Sequence, residues 1–117
     1  MKELVIIVNP QKLETVKGIL DAEHVGGITM SNVMGCGTQR GIVNPEKETL
    51  MKGFKTSINL LPKIRIEVVV RNEEVENLVL KIRDALTTTT VGGGKIFIRN
   101  IEETIRIRTG ESGEKAL

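Results

Sequence analysis

Ile64-Arg65-Ile66-Glu67-Val68-Val69-Val70 runs straight into Arg71-Asn72-Glu73-Glu74-Val75, and the spacing of the apolar residues changes at that junction. Up to Val70 the apolar side chains recur at every second residue, the pattern of a strand with one buried face. From Val75 onward they fall at Val75, Leu78, Val79, Ile82 and Leu86, the stripe of an amphipathic helix. Asn72 is the expected N-cap, and Glu73, Glu74 and Glu76 suit the positive end of the helix dipole. Residues 87–90 are all threonine, whose β-branching favours ending the helix, and residues 95–101 read as a further strand.

The first part of the chain has the same form. Residues 4–8 are a continuous apolar run, read as a buried strand. Asn9-Pro10 then supplies an N-cap candidate and a proline at the first helical position. Leu13, Val16, Ile19 and Leu20 recur at helical spacing, Gly26-Gly27 is expected to end the unit, and residues 28–34 read as a strand with Ile28, Met30 and Asn32 on one face. Between the two halves, residues 35–62 hold no period: glycines, Asn44-Pro45, Glu46-Lys47-Glu48 and Lys52-Gly53 interrupt it. This segment reads as a long loop with a strand stub around residues 57–61, and loops of this length are usually functional or mobile. The order is β-α-β, loop, β-α-β, which predicts an α+β, ferredoxin-like sandwich with two helices over one face of an antiparallel sheet. The other face is rich in apolar residues, which predicts its burial in an oligomer. The polar tail beyond Gly110 is expected to fray.

Composition narrows the function. At 117 residues the chain is one domain, and with no Trp or Tyr its core must be built from Ile, Val and Leu. A net charge of +2 gives no support for sequence-independent nucleic-acid binding. One cysteine excludes an intramolecular disulfide and suits a reducing cytosol. No signal peptide or membrane-spanning run is visible, and a single His with a single Cys argues against a zinc cage.

Gly92-Gly93-Gly94-Lys95 is the strongest chemical signal. Glycines let backbone approach an anion, and the lysine adds charge. Arg106 and Arg108, two apart, share a face if the chain there is extended. Gly35-Cys36-Gly37-Thr38-Gln39-Arg40-Gly41 forms a second glycine-rich stretch, but its spacing is neither the dinucleotide fingerprint nor the Walker pattern. Singly, each has a plain structural reading: a tight turn, a charged edge or a loop. Jointly they predict convergence on one polyphosphate. His24 reads as a surface residue at a helix end, and Cys36 lacks a nearby base, so no nucleophile pair stands out. Binding without chemistry is the reading these residues favour.

Over nearly its whole length the chain resembles the PII signal-transduction proteins. The resemblance rests on Thr29, on Gly35, Gly37, Gln39 and Gly41 opening the long loop, on Leu61-Pro62-Lys63 closing it, on Gly92-x-Gly94-Lys95-Ile96-Phe97, and on Arg106-Ile107-Arg108-Thr109-Gly110-Glu111. It implies a single domain over residues 1–117 that assembles as a homotrimer, with ATP or ADP in clefts between subunits. Its elements would be a flexible loop at about 37–62, a glycine turn at about 87–95 and a C-terminal segment at about 102–117. Nucleotide would be bound by Thr29, Gly35, Gly37, Thr38, Gln39, Ile64, Gly92, Gly93, Gly94, Lys95, Arg106 and Arg108. The effector 2-oxoglutarate would be bound by Gln39, Arg40, Gly41, Lys63 and Gly92, with Mg²⁺ held by Gln39 beside ATP. The long loop would engage a protein target: an ammonium channel, glutamine synthetase, or another enzyme or transporter. The protein would be cytoplasmic, recruited at times to a membrane protein.

The chain also departs from the family pattern. Thr38 stands where a basic residue is usual, Thr90 where a lysine is usual, and Gly93 where an acidic residue is usual. Fewer cations imply a shift away from ATP toward ADP or AMP. The absence of tyrosine excludes uridylylation at a loop tyrosine. Two alternatives stand beside the ATP and 2-oxoglutarate sensor: an adenylate sensor deaf to 2-oxoglutarate, and a small nucleotide-hydrolysing enzyme, which lacks an evident general base.

Overall fold

The structure, a computed structural model, describes residues 1–36, 48–51, 54–57, 60–87 and 93–117. The elements are β1 (Lys2–Val8), α1 (Leu13–Ala22), β2 (Thr29–Gly35), β3 (Glu48–Met51), β4 (Phe54–Ser57), β5 (Leu61–Val70), α2 (Val75–Leu86) and β6 (Lys95–Asn100). Four strands form one antiparallel sheet in the order β2-β5-β1-β6. With two helices on one face, this is the expected ferredoxin-like α+β fold.

Register explains the core. Leu4, Ile6 and Val8 lie opposite Val68, Ile66 and Ile64, so one row of side chains is shared by the two central strands. Val16 and Leu20 of α1 and Leu78, Ile82 and Leu86 of α2 close over that row, and all are buried. Each contributes roughly 1.5–3 kcal/mol of burial, and no polar residue is buried among the described residues.

Several local expectations are corrected. The stub expected around residues 57–61 is instead the end of β4 and the start of β5, and β3 pairs with β4 as a hairpin. Leu61 and Pro62, expected to close the loop, already belong to β5. Proline is tolerated there because β1 reaches only as far as Ile64 and leaves those residues on an unshared edge. Asn9 does not cap with its side chain: a 3-10 turn at Pro10–Lys12 precedes α1, and the Asn9 Oδ1 accepts a bond from Lys63 Nζ at 2.5 Å. Asn72 does not cap α2 but opens a 3-10 turn at Asn72–Glu74, whose own N-cap is Arg71; the Arg71 backbone N–H donates to Glu74 Oε2 at 3.2 Å, and Glu74 is the residue at the N-cap of α2.

Nor do Gly26 and Gly27 end the first unit. α1 stops at Ala22, and His24 takes the left-handed conformation at φ 59°. The His24 N–H donates to the Asp21 carbonyl at 3.1 Å and the Val25 N–H to the Leu20 carbonyl at 3.0 Å, which satisfies the last carbonyls of the helix. Glycine holds that conformation without strain. His24→Gly is therefore expected to stabilise the fold by about 0.5–1 kcal/mol, read as a higher urea midpoint.

The helices are tied at their surface by Glu23, which accepts bonds from Lys81 and from Asn77 Nδ2, the latter at 2.9 Å. The Lys81 bond is the main reason the Glu23 carboxyl titrates below its ordinary 4.5. Its stabilising effect is present above that value and is lost as pH falls through the lowered folded pKa. Against Glu23→Gln, the wild type is expected to hold an advantage near neutrality that disappears in acid, in urea titrations repeated from pH 7 downward.

On the uncovered face, Val5, Ile7, Val33, Val69 and Phe97 interleave with charge. Glu3 accepts from Arg99 at 2.5 and 3.0 Å, and Glu67 from Arg65 at 2.7 Å. Val5 is buried there without a covering layer, set in register between Glu67 and Phe97.

Candidate anion-binding site

The residues singled out in the sequence fall into two groups at opposite ends of the sheet. Antiparallel pairing brings the ends of β1 and β2 and the starts of β5 and β6 to one pole. Gly35 closes β2 opposite Leu61, Lys63 lies opposite Val33, and Lys95 lies opposite Ile7.

Contacts knit this pole together. Gly94 has φ 114°, and a Cβ there would sit 2.5 Å from the Ile7 carbonyl oxygen and 3.2 Å from Val8 Cγ1. Only glycine lets the backbone rest on the end of β1 in this way. One residue on, Asn9 holds Lys63, and the Lys63 stem crosses Gly35: a Cβ at Gly35 would meet Lys63 Cγ at 3.1 Å. Lys95 is exposed and has no ion-pair partner among the described residues. Lys63 spends one of three ammonium donors on Asn9. Lys95, without a counter-ion among the described residues, and the partly used Lys63 stand on the same face at the same pole, two strands apart, and each suits an anionic group such as phosphate or carboxylate.

The second pole gathers the starts of β1 and β2 and the ends of β5 and β6. Thr29 opens β2 opposite Glu67 and is exposed. The C-terminal segment folds back here. The Ile101 N–H donates to the Met1 carbonyl at 3.1 Å, the Gly113 N–H to the Thr104 carbonyl at 2.9 Å, and Ile105 bridges Ser112. A 3-10 turn at Gly113–Ala116 follows, Arg71 lies 3.7 Å from Glu114, and a Cβ on Gly26 would touch Leu117 at 3.5 Å. The expectation of a frayed tail is thus overturned, because its backbone groups find partners despite a polar composition. Arg106 and Arg108 do not share a face of an extended chain: Arg106 precedes a tight turn, and Arg108 lies in it, exposed.

β1 and β2 are each seven residues long, so about 20 Å of strand separates the poles. One polyphosphate cannot reach Lys95 and Arg108 of the same protomer, so the convergence expected from the sequence does not occur within one chain. Ile64 sits in the core, 8% exposed, on the helix-covered face and away from Lys63 and Lys95. Ile64 pairs with Val8, and the residue of β1 that does share the face of Lys95 is Ile7, set between Arg65 and Lys95 in register. Only the strand register reveals this placement, since Ile7 sits in a uniformly apolar run. Gly37, Thr38, Gln39, Arg40, Gly41 and Gly92 lie outside the described residues, as does Thr90. Among the described residues no cluster of His, Cys, Asp or Glu suits a metal, and no helix is long and apolar enough to cross a membrane.

The fold is that of a small ferredoxin-like protein, with the cations and glycines singled out as candidate anion ligands divided between two ends of one sheet. The family model for nitrogen regulatory protein P-II matches residues 1–111. A protein named nitrogen regulatory protein P-II 2 from Methanothermobacter thermautotrophicus is 45% identical over 117 residues, 100% of this chain and 97% of its own. Nitrogen regulatory protein P-II of Rhizobium meliloti is 40% identical and nitrogen regulatory protein GlnK of Escherichia coli 36%, each over 100% of both chains. This chain belongs to the P-II family of nitrogen regulatory signal-transduction proteins.

Proposed function

We propose that the chain works as a homotrimer that binds adenine nucleotide in clefts between subunits and controls a protein target through the segment between β2 and β5. The observation that carries this reading is the separation of the two poles. A cleft that joins Lys95, Gly94 and Lys63 of one subunit to Arg108 and Thr29 of the next unites groups that one chain holds about 20 Å apart. The apolar side chains of the uncovered face, Phe97 at 52% exposure among them, favour burial against further copies. Lys63 would pair with a carboxylate of 2-oxoglutarate, and Gln39, on the family resemblance, would hold magnesium beside ATP. Shared contacts would make the two ligands' binding reciprocal. Thr38, Thr90 and Gly93 weigh toward ADP or AMP over ATP. The relatives are named as regulators, and the site supplies charge without a general base, so the ligand is read and not turned over. The target is a protein of nitrogen metabolism such as an ammonium channel or glutamine synthetase, met in the cytoplasm or at the membrane.

Sedimentation combined with isothermal titration tests the reading. A trimer is expected, binding ATP, ADP or AMP with one site per subunit, each titrated with and without Mg²⁺ and 2-oxoglutarate. A monomer, or a trimer that binds none of the three, overturns it. Steady phosphate release that depends on one carboxylate, such as Glu67, would replace it with the hydrolase reading.

A further inference from the structure

We infer that Asn9 is a positioning residue for Lys63: its side-chain oxygen holds the ammonium where the carboxylate of a ligand meets it. The inference deepens the functional reading above and rests on it, since Lys63 is taken there as the contact for a carboxylate of 2-oxoglutarate.

Asn9 is itself fixed in place. The last rung of the β1–β5 ladder joins Val8 to Ile64, and one step on, past the end of pairing, Asn9 meets Lys63. Pro10 follows and confines Asn9 to extended backbone, at φ −65° and ψ 147°. The Asn9 carbonyl accepts from the Lys12 N–H at 2.9 Å. The amide side chain thus stands on a rigid corner between β1 and α1.

Lys63 is the longer and more adaptable partner. Its four-carbon stem passes over Gly35, where a Cβ would meet Lys63 Cγ at 3.1 Å and Cε at 3.7 Å. Its Nζ donates to Asn9 Oδ1 at 2.5 Å. Stem and head are both guided, so the side chain gives up little further rotamer freedom when an anion arrives. The acceptor is a neutral amide, which leaves the ammonium its charge and two of its three donors. A carboxylate in that place would offset the charge and repel the carboxylate of a ligand. Lys95, at the same pole, has no such bracket among the described residues.

Titration of 2-oxoglutarate into the full-length protein at saturating Mg-ATP tests the role. Asn9→Ala is expected to weaken 2-oxoglutarate binding about two- to tenfold, the worth of one pre-ordered long side chain. Asn9→Gln keeps an amide oxygen and should lose less, whereas Asn9→Asp should lose more than alanine. ATP affinity measured without 2-oxoglutarate should be the same in wild type, Asn9→Ala and Asn9→Gln, which general damage to this pole would not give. In a Lys63→Met background Asn9→Ala should cost nothing further. If Asn9→Ala leaves 2-oxoglutarate binding unchanged or tightens it, or costs the same with and without Lys63, the inference is wrong.

Acetylation of lysines by limiting acetic anhydride, without ligand and read by peptide mass spectrometry, gives a second readout. In the wild type Lys63 is expected to react more slowly than the exposed Lys95. In Asn9→Ala the rate at Lys63 should rise severalfold while that at Lys95 stays the same. A Lys63 rate that Asn9→Ala does not change overturns the bracket. Wild-type protein that binds no 2-oxoglutarate in the presence of Mg-ATP overturns that part of the functional reading instead, and the acetylation result still decides whether Asn9 holds Lys63.

Discussion

Gly94→Ala is expected to cost about 2–6 kcal/mol of folding stability, a loss that a urea titration would register as a large drop in midpoint. Two effects add. A left-handed φ of 114° strains any residue with a Cβ, by about 1–3 kcal/mol. The new Cβ would also lie 2.5 Å from the Ile7 carbonyl oxygen, and overpacking of this kind costs about 1–3 kcal/mol more. The carbonyl cannot simply retreat, because Ile7 is paired to Arg65 on one side and to Lys95 on the other. Gly18→Ala is the matched control. Gly18 lies exposed within α1, and a methyl group there would meet nothing within 4 Å, so alanine should stabilise by about 0.5–1 kcal/mol. A Gly94→Ala protein as stable as wild type would show that the glycine turn does not rest on β1, and the site geometry would need rebuilding.

Lys95→Gln is expected to weaken nucleotide binding by about ten- to a hundredfold, the usual worth of one charge-assisted bond of about 1.5–3 kcal/mol, with little change in stability. Its ammonium is exposed and without an ion-pair partner among the described residues, so its removal strands no other group. Arg108→Gln should weaken binding comparably, from the opposite pole. The decisive measurement mixes the two variants. Unfolded together and refolded one to one, Lys95→Gln and Arg108→Gln subunits would rebuild wild-type halves in about a quarter of the clefts, by random pairing around a ring. Titration should then recover about a quarter of the sites at wild-type affinity. No recovery would place both side chains in one protomer's site, against the two-pole geometry.

Most of the fold was legible in the sequence because two periods are written plainly into it. Alternation from Ile64 to Val70 can satisfy only a strand, and the stripes at Val16 and Leu20 and at Leu78, Ile82 and Leu86 only a helix against that strand. Features set by competition between distant groups were not legible. Asn9 is a good capping residue by propensity, yet Lys63, 54 positions away, takes its side-chain oxygen. Gly26 and Gly27 are the obvious stop signal, yet the helix ends at a histidine in the glycine conformation. The docking of the C-terminal segment depends on backbone bonds to Met1 and Thr104, which composition does not encode. The candidate site was legible as a set of residues and illegible as an arrangement. Which residue types bind phosphate is a local matter, whereas the pole each one occupies follows from strand direction. The placement of Ile64 under the helices, one residue from Lys63, shows how a single step in parity reverses a side chain's address.

Gly35 and Leu61 are direct partners on the last rung of the β2–β5 ladder. Whatever chain joins them leaves and re-enters the sheet at the same point, so its span is fixed independently of its length. The entropy of closing such a segment grows only logarithmically, about 0.6 kcal/mol for each doubling. The rung therefore works as an evolutionary socket. Residues can be inserted or deleted between these two positions while Lys63, Lys95 and the core keep their places. On the functional reading proposed above, the part of this cassette beyond Gly41 could be rewritten for a new target, whereas Thr38 to Gly41, which that reading gives to the ligands, would have to stay.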